Sequence, residues 1–317
     1  LDPNVLGQTT KSIVHTTNKA GSVTSLVTTI RQFFNPLTAT DKIVISGFSS
    51  DYVFNQGSTT VCTVQSDSSN VAVSTSTDTS GSNRILTVTL DSGSNIGNGD
   101  VDTVITCNNI LIPRKVTSSV NNIAVKSTDT NNVIRDQDTS FSLDGIVSND
   151  LSSLSGSFSK SKAGEVGTLT FGFTNFNPIP VDAKIVLSLP SGFDSSQVTV
   201  SSITGTTNFG TTTITKSNQI ITLTRQSDGD VVASSTSLSI VLDSLKHPII
   251  SGALGTLNYK TTDANDISID EGDLAAGSLD PNVLGQTTKS IVHTTNKAGS
   301  VTSLVTTIRQ FFNPLTA

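Results

Sequence analysis

Methionine and tryptophan are absent from the 317 residues, and the chain holds only two cysteines and two tyrosines. A natural chain starts with methionine or is cut from one that did, so the lack of Met leads us to expect the interior of a longer polypeptide. No stretch approaches the roughly 18 consecutive apolar residues that a membrane-spanning helix needs. The opening LDPNVLGQTTKS has neither the basic start nor the apolar run of a secretion signal. Basic runs are missing too: with 19 Lys and Arg against 25 Asp and Glu, a net charge of -6 leaves nothing to neutralise a phosphate backbone. These absences exclude nucleic acid as a partner and membrane insertion by this segment.

What fills the chain instead is serine and threonine, 47 and 48 residues, interleaved with Val, Ile and Leu. Polar blocks would mean disorder, but alternation of period two means strands. It recurs in SIVHTT, SVTSLVTTIRQF, KIVISGF, TTVCTV, ILTVTL, DTVITCNNILI and NNIAVKS. It returns in SGSFSK, TLTFGF, KIVLSL, QVTVSS, IITLTR, LSIVLDSL and TLNYKTT. Turn clusters rich in Gly, Asn and Asp separate these runs, and no segment carries a helical period. About seven short strands per set fit an all-β antiparallel sandwich with one wet face per sheet.

Two levels of repetition organise the strands. Residues 1–39 recur unchanged as 279–317, so the chain is one period of 278 residues plus the start of the next. Identity over such a length implies a nearly uniform tandem array. Inside the period lies a diverged repeat: Asn35-Pro36 falls on Asn177-Pro178, Lys42-Ile43-Val44 on Lys184-Ile185-Val186, and VKSTDTNNVIRDQD beside YKTTDANDISIDEGD. The expected organisation is a linker or edge strand over 1–19, sandwich A over 20–140, a linker over 141–162 and sandwich B over 163–275. A linker and the first strands of the next copy of A then occupy 276–317. The stretches 138–154 and 273–289 connect the sandwiches, with room for an extra edge strand.

The segment FNPIPVDAKIVLSLPSGF, preceded by the Gly-containing strand TLTFGFT and followed by a TTDxN turn, resembles the Ig-like unit repeated many times in giant secreted or surface proteins of unicellular eukaryotes and algae. The likeness covers both halves, although ISGF in the first replaces LSLPSGF. It implies tandem Ig-like sandwiches and an extracellular or surface location, and it brings no catalytic residue with it.

Few residues suggest chemistry. Cys107 takes the place of Leu242 in the second half, a position that should be buried; Cys62 and Cys107 are therefore either an inter-strand disulfide in an oxidising compartment or two small buried thiols. A period contains only two histidines, His15 and His247, because His293 repeats His15. No G-x-S-x-G occurs, and Asp91-Ser92-Gly93 lacks the second carboxylate that an aspartic dyad shares its proton with. Acidic and amide groups gather in GNGDVD (Asn98, Asp100, Asp102) and at Asp263, Asn265, Asp266 and Asp270, followed by Glu271 and Asp273. Hard calcium wants six to eight oxygens, so Asp263, Asn265, Asp266 and Asp270 are calcium candidates, weighed against the simpler reading of a turn with solvated acids. None of the 21 asparagines in a period opens an N-x-S/T sequon, which suits a secreted surface that packs laterally.

The leading expectation is a structural repeat segment of a long extracellular filament or surface appendage, without enzymatic activity or a required cofactor. Its partners would be further copies of the same repeat, joined covalently or by strand donation. The alternative is an adhesin stalk whose loops bind a carbohydrate or a protein. A further expectation follows from 279–317: an opening hairpin alone cannot bury its apolar face, so it should pack with the remainder of another first-half domain.

Overall fold

The computed structural model describes residues 4–6, 11–31, 33–97, 99, 101–282, 289–294, 298 and 303–308. No helix is present among them. The chain divides into two compact units, Leu1–Asn149 with Ile267–Ile269, and Asp150–Asp266 with the chain from Asp270 onward.

The first unit contains nine principal strands: β1 (Lys11–His15), β2 (Val23–Ile30), β3 (Lys42–Phe48), β4 (Cys62–Ser66), β5 (Val73–Asp78), β6 (Arg84–Leu90), β7 (Thr103–Leu111), β8 (Val120–Thr128) and β9 (Ile134–Leu143). They run β4-β7-β2-β1 in one layer and β9-β8-β3-β6-β5 in the other. A single parallel pair, Leu143 opposite Ile13, stitches the layers together along one edge.

The second unit is built likewise from β10 (Ser152–Phe158), β11 (Val166–Thr174), β12 (Lys184–Ser188), β13 (Thr199–Thr204), β14 (Thr212–Ser217), β15 (Ile220–Arg225), β16 (Ser237–Lys246), β17 (Thr256–Thr262) and β18 (Ser268–Ala275). Its sheets run β13-β16-β11-β10 and β18-β17-β12-β15-β14. Every neighbour relation is that of the first unit, nine strands further on. Immunoglobulin constant domains place strands A, B, E and D in one sheet and C, F and G in the other. Both units keep that order, and each adds a hairpin (β5–β6, β14–β15) between D and E, paired beside C.

Period-two patterning explains the layers. Along β2, Thr24, Leu26, Thr28 and Ile30 point inward while the residues between them are more exposed, and Leu86, Val88 and Leu90 do the same on β6. One core fills each sandwich. In the second unit Leu169, Phe171 and Phe173 of β11 meet Leu187, Leu223 and Tyr259 from the facing sheet. At an apolar yield of roughly 25 cal/mol per Å², each such side chain stabilises the sandwich by about 1.5 to 3 kcal/mol. Gly205 ends β13 at φ +110°, and a Cβ there would collide with the Ser237 carbonyl.

The strand count exceeds the expected seven by two in each unit. β5 and β14 are threonine- and serine-rich edge strands, and β9 and β18 carry inward carboxylates. Strand β1 lies within 1–19, β10 within the stretch expected as linker over 141–162, and β9 runs three residues past 140.

Candidate functional site

Each sandwich buries one carboxylate against the Asn-Pro turn that follows its second strand. Asp270 of β18 is fully buried and accepts hydrogen bonds from the backbone N–H groups of Phe176 (3.1 Å) and Asn177 (2.9 Å) and from Asn177 Nδ2 (2.7 Å). In the first unit Asp136 of β9, equally buried, accepts from Asn35 N (3.2 Å), Asn35 Nδ2 (2.8 Å) and Ser127 Oγ (3.1 Å). Proline keeps the preceding residue extended, which presents the asparagine's backbone and amide donors to one acceptor. A buried charge is costly unless hydrogen-bonded, and three donors offset that cost. Burial pushes the Asp270 carboxyl up, and the Asn177 and Phe176 donors pull it back. These latches join the last strand to the turn after the second.

The four calcium candidates lie in three different settings. Asp270 faces the core, Asp266 Oδ1 takes the Lys184 ammonium at 2.7 Å, and Asp263 Oδ1 accepts from Asn265 N at 2.9 Å across its own turn. The first unit repeats the arrangement: Asp129 caps Asn131 N and Val133 N, and Lys42 reaches Asn132 Oδ1. Among the described residues no group of three or more His, Cys, Asp or Glu is placed to hold a metal. Asn98 and Asp100 lie outside the described residues; Asp102 stands 3.8 Å from Arg31. Asp273 accepts from Asn258 Nδ2.

Cys62 and Cys107 face each other directly on β4 and β7 and form a disulfide, with Cα atoms 4.0 Å apart. Both are buried. The matching pair in the second unit is Val200 opposite Leu242 on β13 and β16.

His15 and His247 are held in the cores. His15 Nδ1 lies 2.8 Å from Asp144 Oδ1, its Nε2 is 3.1 Å from the Tyr52 hydroxyl, and the His15 and Tyr52 rings stack at 5.9 Å. Burial lowers the His15 pKa, and Asp144 opposes the shift. His247 lies edge-on to Phe158 and Phe193, with Nδ1 3.3 Å from the Lys162 carbonyl; burial lowers its pKa as well. Asp91-Ser92-Gly93 forms a turn, closed by the Ser94 N–H donating to the Asp91 carbonyl.

A second copy of the opening hairpin is formed by β19 (Lys289–His293) and β20 (Leu304–Ile308). Its register, Lys289 opposite Ile308 through His293 opposite Leu304, is that of β1 with β2, Lys11 opposite Ile30 through His15 opposite Leu26. In the first unit Ile13 and Leu26 are each 1% exposed; their twins Ile291 and Leu304 are 66% and 61% exposed. The outward residues barely differ, Val14 at 42% and Val292 at 52%. The inward face, buried in the twin, is the one that changes most.

The latches escaped sequence reading because isolated acids in a strand read as solvated. The usable signal was that Asn-Pro and a downstream Asp recur together in both halves.

No family model matches this chain, and no curated protein matches it. Among solved structures it is similar to the C-terminal domain of the Streptococcus agalactiae AgI/II polypeptide BspA, at 11% identity and a TM-score of 0.26, covering 87% of this chain and 95% of that one. It is similar also to the C-terminal domain of the Streptococcus pyogenes antigen I/II-family protein AspA, at 10% identity and a TM-score of 0.28, covering 86% and 100%. A third is the N-terminal domain of the Streptococcus gordonii adhesin Sgo0707, at 12% identity and a TM-score of 0.30, covering 80% and 59%. Likeness at this level says nothing of what the chain binds.

Proposed function

We propose that this chain is a structural segment of a long extracellular or cell-surface array in which paired, non-identical Ig-like sandwiches recur. The observation that carries the reading is the hairpin 289–308: after the second sandwich the sequence of the first begins again, and its strands take up the same register. In such an array the hairpin opens the next first-type unit. The inter-strand disulfide suits an oxidising compartment. The role is mechanical and not catalytic, since the buried acids and histidines are engaged as latches and core contacts.

Electron microscopy of the native material tests the reading. Strands of about ten residues span roughly 33 Å, so two sandwiches with joints strung end to end give an axial period on the order of 80 to 100 Å. Filaments with that period are expected; thin stalks ending in a distinct head would instead favour an adhesin. One observation favours that second reading: Phe34 and Phe176, at matching positions before the Asn-Pro turns, are 41% and 46% exposed, and the latch holds each in place. Exposed, rigid aromatics are suited to contact a partner surface.

A further inference from the structure

In the sheet β9-β8-β3-β6-β5 and its twin β18-β17-β12-β15-β14 the usual relation between core and surface is reversed. The outward residues of β3, Lys42, Val44 and Ser46, recur on β12 as Lys184, Val186 and Ser188 at the same ladder positions. Those of β6, Ile85, Thr87 and Thr89, recur as Ile220, Thr222 and Thr224, and Lys126 of β8 recurs as Lys260. Ala124, which has become Asn258, is the exception. On the inward side of the same strands Ile43 returns as Ile185, but Ile45, Leu86, Val88 and Val125 become Leu187, Ile221, Leu223 and Tyr259. The outward face of the other sheet has drifted too: Val27, Thr29, Val104 and Thr106 stand where Thr170, Gly172, Ser239 and Val241 do. Folding demands apolar inward residues and tolerates swaps among them. It asks far less of a wet face, where strand propensity would keep residues β-branched without keeping them identical, and disfavours lysine. A surface held constant while the core beneath it changes has the mark of a contact surface.

We propose that this face packs against the same face of a second copy of this chain, sheet on sheet, with first-type and second-type faces interchangeable. The chemistry of the face selects that occupant. Its three central strands point no aromatic ring outward on which a sugar could stack. Of its lysines, Lys42 and Lys184 are already taken by Asn132 and Asp266, which leaves little for a polyanion. Threonine, valine and serine on a sheet suit a second sheet about 10 Å away. Self-recognition also explains the constancy, because in a contact between like faces each residue serves both sides. Two unit types that accept each other cannot drift apart there, whereas their cores never meet. Five strands per sheet, about 4.8 Å apart and about six residues long, offer roughly 500 Å² per unit, so a pair of faces buries about 1,000 Å². That is the low end for a specific contact, and we expect a dissociation constant on the order of 100 µM for the single chain. Repetition along an array strengthens it by avidity.

Sedimentation equilibrium of the full 317-residue chain, from about 10 µM to about 1 mM, tests the proposal. The wild type should associate reversibly within that range. Thr87→Arg with Thr222→Arg, which sets like charges against each other across the contact, should weaken association by roughly 10-fold or more. Thr106→Arg with Val241→Arg, the same change on the other outward face, should leave it within about twofold. Urea midpoints close to the parent's confirm that both variants are folded. A measurement free of substitutions runs beside them: on dilution from about 1 mM, amide resonances of Val44, Thr87 and Lys126 and of Val186, Thr222 and Lys260 should shift, and those of Val27 and Thr106 should not. A wild type that stays monomeric at about 1 mM overturns the proposal. So does association that survives the Thr87 and Thr222 changes, or shifts confined to the opposite face. The proposal gives the array reading a lateral partner and fails separately from it: filaments of the expected period built from chains that are monomeric at about 1 mM would keep the array and remove this contact.

Discussion

The two sandwiches share every strand neighbour within each layer and differ in what reinforces them. Both keep the buried aspartate on the last strand, and both close the same backbone bond at the end of the sixth, Leu90 N to Asp41 O in the first unit and Arg225 N to Ala183 O in the second. Around that common frame the extra links change. The first unit has the Cys62–Cys107 bridge and an Arg135–Asp41 ion pair of 2.9 Å. Its counterpart has Val200, Leu242, Ile269 and Ala183 at those places. Where the first has Leu90, the second buries Arg225, whose guanidinium donates to the carbonyls of Phe209, Ile179 and Pro180 and packs 4.5 Å from the Phe209 ring centroid. The ladder order and the latch thus define the fold, and the covalent and charged reinforcements are local solutions that can be traded.

The sharpest break in the comparison should come from the latch. Asp270→Ala removes the acceptor shared by the Phe176 and Asn177 N–H groups and the Asn177 amide, and we expect a loss of about 3 to 5 kcal/mol from the second unit. Asp136→Ala should cost the first unit a similar amount. Urea denaturation followed by tyrosine fluorescence reads both, through Tyr52 in one unit and Tyr259 in the other; a loss in one unit only would end their equivalence. Next comes the pair Cys62→Val with Cys107→Leu, which rebuilds the second unit's solution inside the first. Opening a loop of 45 residues should cost the first unit roughly 2 to 4 kcal/mol. The second unit should be unmoved, and mass measurement with and without reductant confirms the bond in the parent chain.

Arg225→Leu makes the reverse trade. It removes the guanidinium donor from the carbonyls of Phe209, Ile179, Pro180 and Asp230, of which Ile179 and Pro180 keep a backbone N–H donor, for an expected loss of about 2 to 3 kcal/mol from the second unit in the same titration. The smallest effect is that of pH. Burial lowers both His15 and His247, so the unfolded chain takes up the proton first as pH falls. Their contribution is complete above the free value of 6.5 and is lost as pH falls below it toward the folded values. The slope is at most about 1.4 kcal/mol per pH unit for each histidine. Asp144→Asn should lower the His15 titration further, as followed by imidazole resonances, and leave His247 in place.

Strands with apolar residues at every second position were legible in the sequence, and so was the pairing of halves through Asn-Pro and Lys-Ile-Val. The Cys107 position could be placed in the core because Leu242 stands there in the other half. Strands β5 and β14 were not legible: VSTSTD and TTITKS form sheet edges with little apolar side to show, so alternation carries almost no signal. Strands β9 and β18 were hidden for the opposite reason. Their inward positions hold Asp136 and Asp270, and a scale that treats acids as solvent-facing reads a loop where a satisfied carboxylate lies in the core. The same habit grouped Asp263, Asn265, Asp266 and Asp270 as one acidic cluster. Burial, which sequence composition does not report, separated these residues into a turn cap, a surface ion pair and a latch.

The bridge between Cys62 and Cys107 also sets how far the first unit can lengthen under load. Strands β4 to β7 lie inside the covalent loop, so a chain pulled from its ends cannot draw out those 45 residues even after the sandwich has come apart. At 3.3 to 3.6 Å per extended residue, the withheld slack is about 150 to 160 Å. The second unit has no such stop and can be drawn out along its whole length. A string of alternating units would therefore stretch in unequal steps, short and long in turn, and a reducing environment would make the short steps longer.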